Sequence, residues 1–130
     1  MITNNDIQTE LFDQLEAANL GYPIAYPGVD FTPPDSGIWL EVSFFPAEPR
    51  DDALADDDSI QPQGNYQVAA VTRPGAGIVG LTKAAQAVQD AYPRGQTIIA
   101  PVRVSRHPYQ MQRIDRDDRM MIPVTIPYSA

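Results

Sequence analysis

The sequence predicts an α+β fold: two helices packed on a mainly antiparallel or mixed β-sheet, in a single domain over residues 1–130. Three observations support this. Two segments, near 5–20 and 78–92, repeat apolar residues at helical spacing. The remaining apolar runs are short, aromatic or β-branched, and bounded by Gly, Pro and Asp. The connections read mostly as hairpins, which gives helices packed on a largely antiparallel sheet.

In the first helix, Ile7, Leu11, Leu15 and Ala18 form the stripe, and Phe12 widens it. Asn5 is the expected cap, with Gln8 three residues on as in a capping box. Asp6 and Glu10 favour the positive end of the helix dipole, and Gly21 and Pro23 end the helix. A short strand over 24–27 precedes the Gly28 turn and the Pro33–Pro34 pair. Ile38 to Phe45 is the clearest strand, with Ile38, Leu40, Val42 and Phe44 on one face and Trp39, Glu41, Ser43 and Phe45 on the other. Large apolar residues on both faces predict a central strand covered on part of each side.

Residues 46–63 differ in kind. Glu48, Asp51, Asp52, Asp56, Asp57 and Asp58 face only Arg50, between Pro46, Pro49 and Pro62. Like charges this dense resist burial, which predicts a long, mobile, acidic loop. Tyr66 to Thr72 is the next strand, and Arg73-Pro74-Gly75-Ala76-Gly77 turns into the second helix. Its stripe is Ile78, Leu81, Ala85, Val88 and Tyr92, ending at Pro93-Arg94-Gly95. Strands near 97–105 and 109–114 and a polar turn at 115–118 lead to the last strand, 119–128. The predicted order is α-β-β-β-α-β-β-β, with no internal repeat.

Proline removes a backbone donor and fixes φ, so strands carry it at edges and ends. Pro123 and Pro127 lie four apart, so both missing donors fall on one side of the last strand. The run Ile122-Pro123-Val124-Thr125-Ile126-Pro127-Tyr128 therefore reads as a sheet edge, blunted outward and free to pair inward.

Composition narrows the function. A chain of 130 residues buries roughly two-thirds of its unfolded surface, enough for one core. The absence of cysteine removes disulfides, thiolate metal sites and cysteine nucleophiles, and fits a reducing compartment. No apolar run approaches the ~18–20 residues that span a bilayer, and the N-terminus lacks signal-peptide character, so a soluble protein made in the cytoplasm is expected. A net charge of −8 argues against nucleic acid as main partner and permits basic protein surfaces.

The motifs with chemical potential read as structure. Gly75-Ala76-Gly77-Ile78-Val79-Gly80 matches the dinucleotide-binding glycine string. The following strand, however, ends without an acidic ribose ligand, and the hairpin connections do not build a doubly wound sheet. A turn and helix start is the reading. A small nucleotide-binding enzyme rests on that string alone, and dinucleotide binding lost on Gly77→Val would favour it. His107 is the only histidine, and Ser105 is too near in sequence to reach its ring, so a hairpin-end role is expected. Asp56-Asp57-Asp58 lacks the ligand spacing and turn glycine of a calcium loop. Trp39, Phe44, Phe45 and Tyr66 read as core aromatics. No catalytic, cofactor or metal residue emerges, and the partner-contact candidates are Asp51, Asp52, Asp56, Asp57 and Asp58.

Seven short motifs occur in one order: Phe31-Thr32-Pro33-Pro34, Trp39-Leu40-Glu41-Val42, Pro46-Ala47-Glu48-Pro49, Gly64-Asn65-Tyr66-Gln67-Val68, Arg73-Pro74-Gly75-Ala76-Gly77, Pro93-Arg94-Gly95 and Ile122 to Tyr128. This succession resembles the phage tail terminator-like family of long-tailed bacteriophages and prophages, over nearly the whole chain. The main departure is the acidic stretch at 50–61. The resemblance implies a non-enzymatic α+β virion protein, without cofactor, made in a bacterial host. It also implies a ring, expected to be hexameric, on the head-proximal end of the tail tube. That ring would stop tube polymerisation and meet the head-completion or connector protein; the implied partners are thus other copies of itself, the tube protein and the connector, with no membrane. Another head–tail joining component is the neighbouring alternative.

Overall fold

The computed structural model describes residues 2–51 and 60–130. Helix α1 spans Asn4–Ala18 and α2 spans Val79–Ala91. The strands are β1 (Ile24–Ala25), β2 (Ile38–Pro46), β3 (Arg50–Asp51), β4 (Ile60–Gln61), β5 (Gln63–Thr72), β6 (Thr97–Ile99), β7 (Val102–Val104), β8 (Tyr109–Gln110), β9 (Ile114–Asp115) and β10 (Met120–Ser129). Eight of them form one mixed sheet ordered β1-β2-β5-β10-β7-β6, with β8 and β9 also paired to β10; β3 and β4 form a separate ribbon. The α+β expectation holds.

Three long antiparallel strands set the register. Leu40, Val42 and Phe44 stand opposite Ala70, Val68 and Tyr66, which stand opposite Ile122, Val124 and Ile126. With a period of two, these even-numbered residues share one face. Both helices pack there: Ile7, Leu11 and Leu15 of α1 and Leu81, Ala84, Ala85 and Val88 of α2 join them in the main core. A 15-residue helix is marginal alone in water. Burying three large aliphatic side chains, at ~1.5–3 kcal/mol each, is what holds α1 in place. The Tyr92 hydroxyl, just past α2, donates to the Leu11 carbonyl at 2.8 Å and ties the helices together.

The cap of α1 lies two residues earlier than the sequence suggested. Thr3 Oγ1 accepts from the Asp6 N–H at 3.1 Å, and the Thr3 N–H donates to Asp6 Oδ2 at 2.8 Å, a complete capping box. Hydrogen bonding to the Asp6 carboxyl, first from the Thr3 backbone N–H and then from the Thr3 hydroxyl, holds it below its ordinary range. The helix ends when Asn19 enters the left-handed region at φ 49°, ahead of Gly21. In α2, Ile78 is the N-cap and 42% exposed, whereas Ala84 is buried. The helix begins one position later, at Val79, and its buried stripe at Leu81, because Ile78 still belongs to the turn.

The largest correction concerns β10, which is central. It pairs with β5 along its whole length and with β7, β8 and β9 on its other side. The proline geometry was read correctly: Pro123 and Pro127 both turn away from β5, and their carbonyls accept from Met111 and Ser105 at 2.7 and 3.0 Å. A proline loses its donor and keeps its acceptor. The far side is therefore covered by two-residue ladders at Met120–Met121, Val124–Thr125 and Tyr128–Ser129, with the prolines in the gaps. This explains why the strand expected at 109–114 is two strands. The one expected at 97–105 is also two, folded back at Ala100–Pro101.

β2 is flanked by β5 throughout but by β1 only at Leu40 and Glu41, in parallel. The segment expected to be a loop at 46–63 begins and ends in ordered structure. β2 runs to Pro46, β5 starts at Gln63, and Arg50–Asp51 pairs with Ile60–Gln61. Residues 52–59 lie outside the described residues.

Candidate interaction surface on the helix-free face

Because both helices take the even face, the odd face of the sheet has no helix over it among the described residues. Its rows are Trp39–Val71–Met121, Glu41–Ala69–Pro123, Ser43–Gln67–Thr125 and Phe45–Asn65–Pro127. The two ends of this face differ.

At the first row, side chains close the surface. Phe31 and Met121 pack on buried Trp39, Ala69 and Val71. The guanidinium groups of Arg73 and Arg119 lie 5.3 and 5.8 Å from the Trp39 ring centroid. Such contacts contribute ~0.5–2 kcal/mol depending on exposure. Glu41 Oε1 accepts from the Trp39 indole N–H at 3.2 Å and from Arg119 Nη1 at 2.6 Å. Partial burial opposes the Arg119 charge, but hydrogen bonding and attraction from Asp118 and Glu41 outweigh it and raise its pKa. Arg73 donates through Nε and Nη2 to the Pro34 carbonyl at 3.4 and 3.3 Å. Thus the Phe31–Pro34 stretch is pinned over Trp39 by the arginine that opens the glycine turn.

Towards the other end the face is open. Phe45 is 54% exposed, Tyr109 50% and Met111 44%. Tyr109 stands opposite Thr125, and the Gln67 amide donates to Met111 Sδ at 3.2 Å, which places all three residues around Ser43, Gln67 and Asn65. Ile114 is also exposed but stands opposite Met121, at the closed end of the face. Val29, Ile78 and Val79 are the other large exposed hydrophobics among the described residues. An apolar cluster on an uncovered sheet face, amid polar residues, marks an interaction surface. Beside it an open groove of about 510 Å³ runs past Asn65, Ser105, Arg106, Tyr109 and Pro127. Gly64 forms part of the lining, where a Cβ would come within 2.6 Å of the Tyr128 hydroxyl and 2.7 Å of the Phe45 carbonyl oxygen.

Of the aromatic group read as core, Trp39 and Tyr66 are fully buried and Phe44 is half-buried, but Phe45 is exposed. It lies near the strand end, past the reach of the Phe31 cover. Tyr109, Met111 and Ile114 were missed as surface residues; alternation carried through the final hairpins would have placed them on the odd face. Of the acidic candidates, Asp51 falls in β3, and Asp52, Asp56, Asp57 and Asp58 lie outside the described residues. His107 is exposed, as expected, near Gln86, Asp90 and Arg94. Gly75 and Gly77 have φ of 91° and 83°, as a turn requires, and Gly80 meets Ile38 across a close helix–strand contact. Among the described residues no group of three His, Asp or Glu side chains is placed to hold a metal ion. No helix among them is long and apolar enough to cross a membrane.

A family model described as phage tail terminator protein matches residues 6–128. The chain belongs to the phage tail terminator family. Membership makes it a structural protein of the phage tail, and several motifs of the sequence have physical roles: Arg73 clamps the Phe31–Pro34 stretch, Trp39 anchors the odd face, and Pro123 and Pro127 space the short strands. Two solved structures share the fold of this terminator-family chain. One has a TM-score of 0.77 at 23% identity, over 99% of this chain and 96% of that one. The other, from the virion of a native gene transfer agent particle, has a TM-score of 0.62 at 18% identity, over 94% and 92%. No curated protein sequence gives a significant match.

Proposed function

We propose that this protein caps the head-proximal end of the phage tail tube as a ring, ends tube polymerisation and presents a surface for head joining. The observation that carries the reading is the terminator-family match over residues 6–128. The surface supports it: a helix-free sheet face with exposed Phe45, Tyr109 and Met111 suits contact with other proteins, and the shared motif residues hold structure rather than a reaction centre. A polymer stops when its last layer matches the tube below and offers no matching face above. A ring of identical heterologous contacts closes laterally and leaves no side growth point. The role needs shape and protein contacts alone, without catalysis or cofactor. The partners are further copies of the chain, six in the ring, together with the tube protein and the head connector.

The test is electron microscopy of lysates from phage lacking this gene. Overlong or headless tails are the expected outcome, and normal virions would overturn the assignment. Removing residues 52–59 tests the acidic segment as a tube contact. Altered tail lengths with an intact fold support that contact, and unchanged lengths dismiss it.

A further inference from the structure

Charge is distributed along this chain in a way that the net value hides. Residues 1–49 hold eight acidic side chains (Asp6, Glu10, Asp13, Glu16, Asp30, Asp35, Glu41 and Glu48) and no Lys, Arg or His. Residues 91–114 hold Arg94, Arg103, Arg106 and Arg113 and no Asp or Glu. The strand order β1-β2-β5-β10-β7-β6 carries β1 and β2, with Asp30, Asp35, Glu41 and Glu48 on or beside them, to one side of the sheet and β6 and β7 to the other; the other four acids lie on α1, which packs against β6. Asp30, Asp35 and Glu48 are exposed on or beside the connections of β1 and β2, and Arg94, Arg103 and Arg106 are exposed around β6 and β7. The ion pairs among the described residues are Arg113–Asp115, Arg119–Glu41 and Arg119–Asp118, and none of these six takes part in them. Val29 adds exposed apolar surface on the acidic side, and the cluster of Phe45, Tyr109 and Met111 lies on the odd face between the two sides.

We propose that the acidic β1–β2 side of one copy docks on the basic β6–β8 side of the next, with Asp30 and Asp35 meeting Arg103 and Arg106. A two-fold arrangement through either side would set like charge against like. A head-to-tail arrangement satisfies both sides of every copy at once and generates rings or open helices. Screening by salt weakens such a contact. The inference gives the ring of the preceding section its lateral interface, and its biological meaning rests on that reading.

Two double variants test it. Arg103→Glu/Arg106→Glu makes both sides acidic, and Asp30→Arg/Asp35→Arg makes both basic; all four positions are exposed, so circular-dichroism melts should match wild type. Sedimentation at low ionic strength should show wild-type self-association that falls as salt rises. Each variant alone should associate at least about tenfold more weakly, since attraction becomes repulsion at two positions. An equimolar mixture should recover association. A wild-type chain that stays monomeric at low salt up to its solubility limit overturns the inference, as do variants that associate like wild type or a mixture that gains nothing. If Asp30→Arg/Asp35→Arg spoils tail capping while self-association is unchanged, the acidic side belongs to another partner and the proposal fails. Normal virions without the gene would refute tube capping and leave the sedimentation result standing.

Discussion

Gly64→Ala is the most exacting test of the packing where β2 and β5 meet the end of β10. A Cβ there would lie 2.6 Å from the Tyr128 hydroxyl, 2.7 Å from the Phe45 carbonyl oxygen and 2.9 Å from the Ala47 nitrogen. Two of these atoms are backbone, and Tyr128 is buried at 1% exposure, so no flexible side-chain end can swing clear. The hairpin itself has to open by several tenths of an ångström. Overpacking of this kind costs ~1–3 kcal/mol, or a fall in Tm of roughly 4–12 °C for a domain of this size. Gly80→Ala supplies the opposite sign: its Cβ would meet only Ile38 Cδ1 at 3.4 Å, and Ala in a helix gains ~1 kcal/mol over Gly. Urea unfolding followed by tryptophan fluorescence reads both, since Trp39 is buried on the same sheet. Adding Tyr128→Phe to Gly64→Ala should recover part of the loss, because one of the three contacts goes. A Gly64→Ala protein within about 0.5 kcal/mol of wild type, or both alanine variants shifted in one direction, would refute the reasoning.

Other predictions follow from the same contacts. Thr3→Ala removes one arm of the capping box and should cost ~0.5–2 kcal/mol in chemical denaturation. Tyr92→Phe deletes the hydroxyl bond to the Leu11 carbonyl and should cost ~0.5–1.5 kcal/mol. Burial pushes the Tyr128 phenol up to about 12 from its ordinary 10. The unfolded chain ionises first, so this residue's share of stability is intact below pH 10 and is lost as pH rises to about 12. Tyr128→Phe should therefore lose less stability than wild type across that window. At neutral pH it should be neutral or stabilising, since the buried hydroxyl has no hydrogen-bond partner among the described residues.

The features legible in the sequence were those set by local periodicity. Both helices, the alternation of Ile38 to Phe45 and the parity of Pro123 and Pro127 could be read from spacing. What escaped depends on distant partners. The prolines of β10 specify which side loses donors, but only tertiary pairing shows that three fragments dock there through the remaining carbonyls. Thr3 outcompetes Asn5 as a cap because Asp6 sits where it can answer the Thr3 N–H, a reciprocity that either residue type alone does not reveal. Phe45 shares strand and parity with Trp39, yet its exposure is decided by where Phe31 lies, eight residues before Trp39 in sequence and across the sheet in space. The surface was hardest to foresee, because the acidic run drew attention to 51–58 whereas the exposed apolar side chains sit in short strands with little sequence signature.

The spacing of Pro123 and Pro127 bears on how the segment from Ser105 to Arg119 can vary. Each short strand grips β10 through only two residues, and a proline, with no donor to offer, lies between each grip and the next. The central strand thus works as a rail with three separate notches rather than one continuous zipper. Residues can be gained or lost between notches without shifting the neighbouring grips or the long hairpin behind them. A tail protein built this way can remodel the flank piecemeal while its scaffold stays fixed.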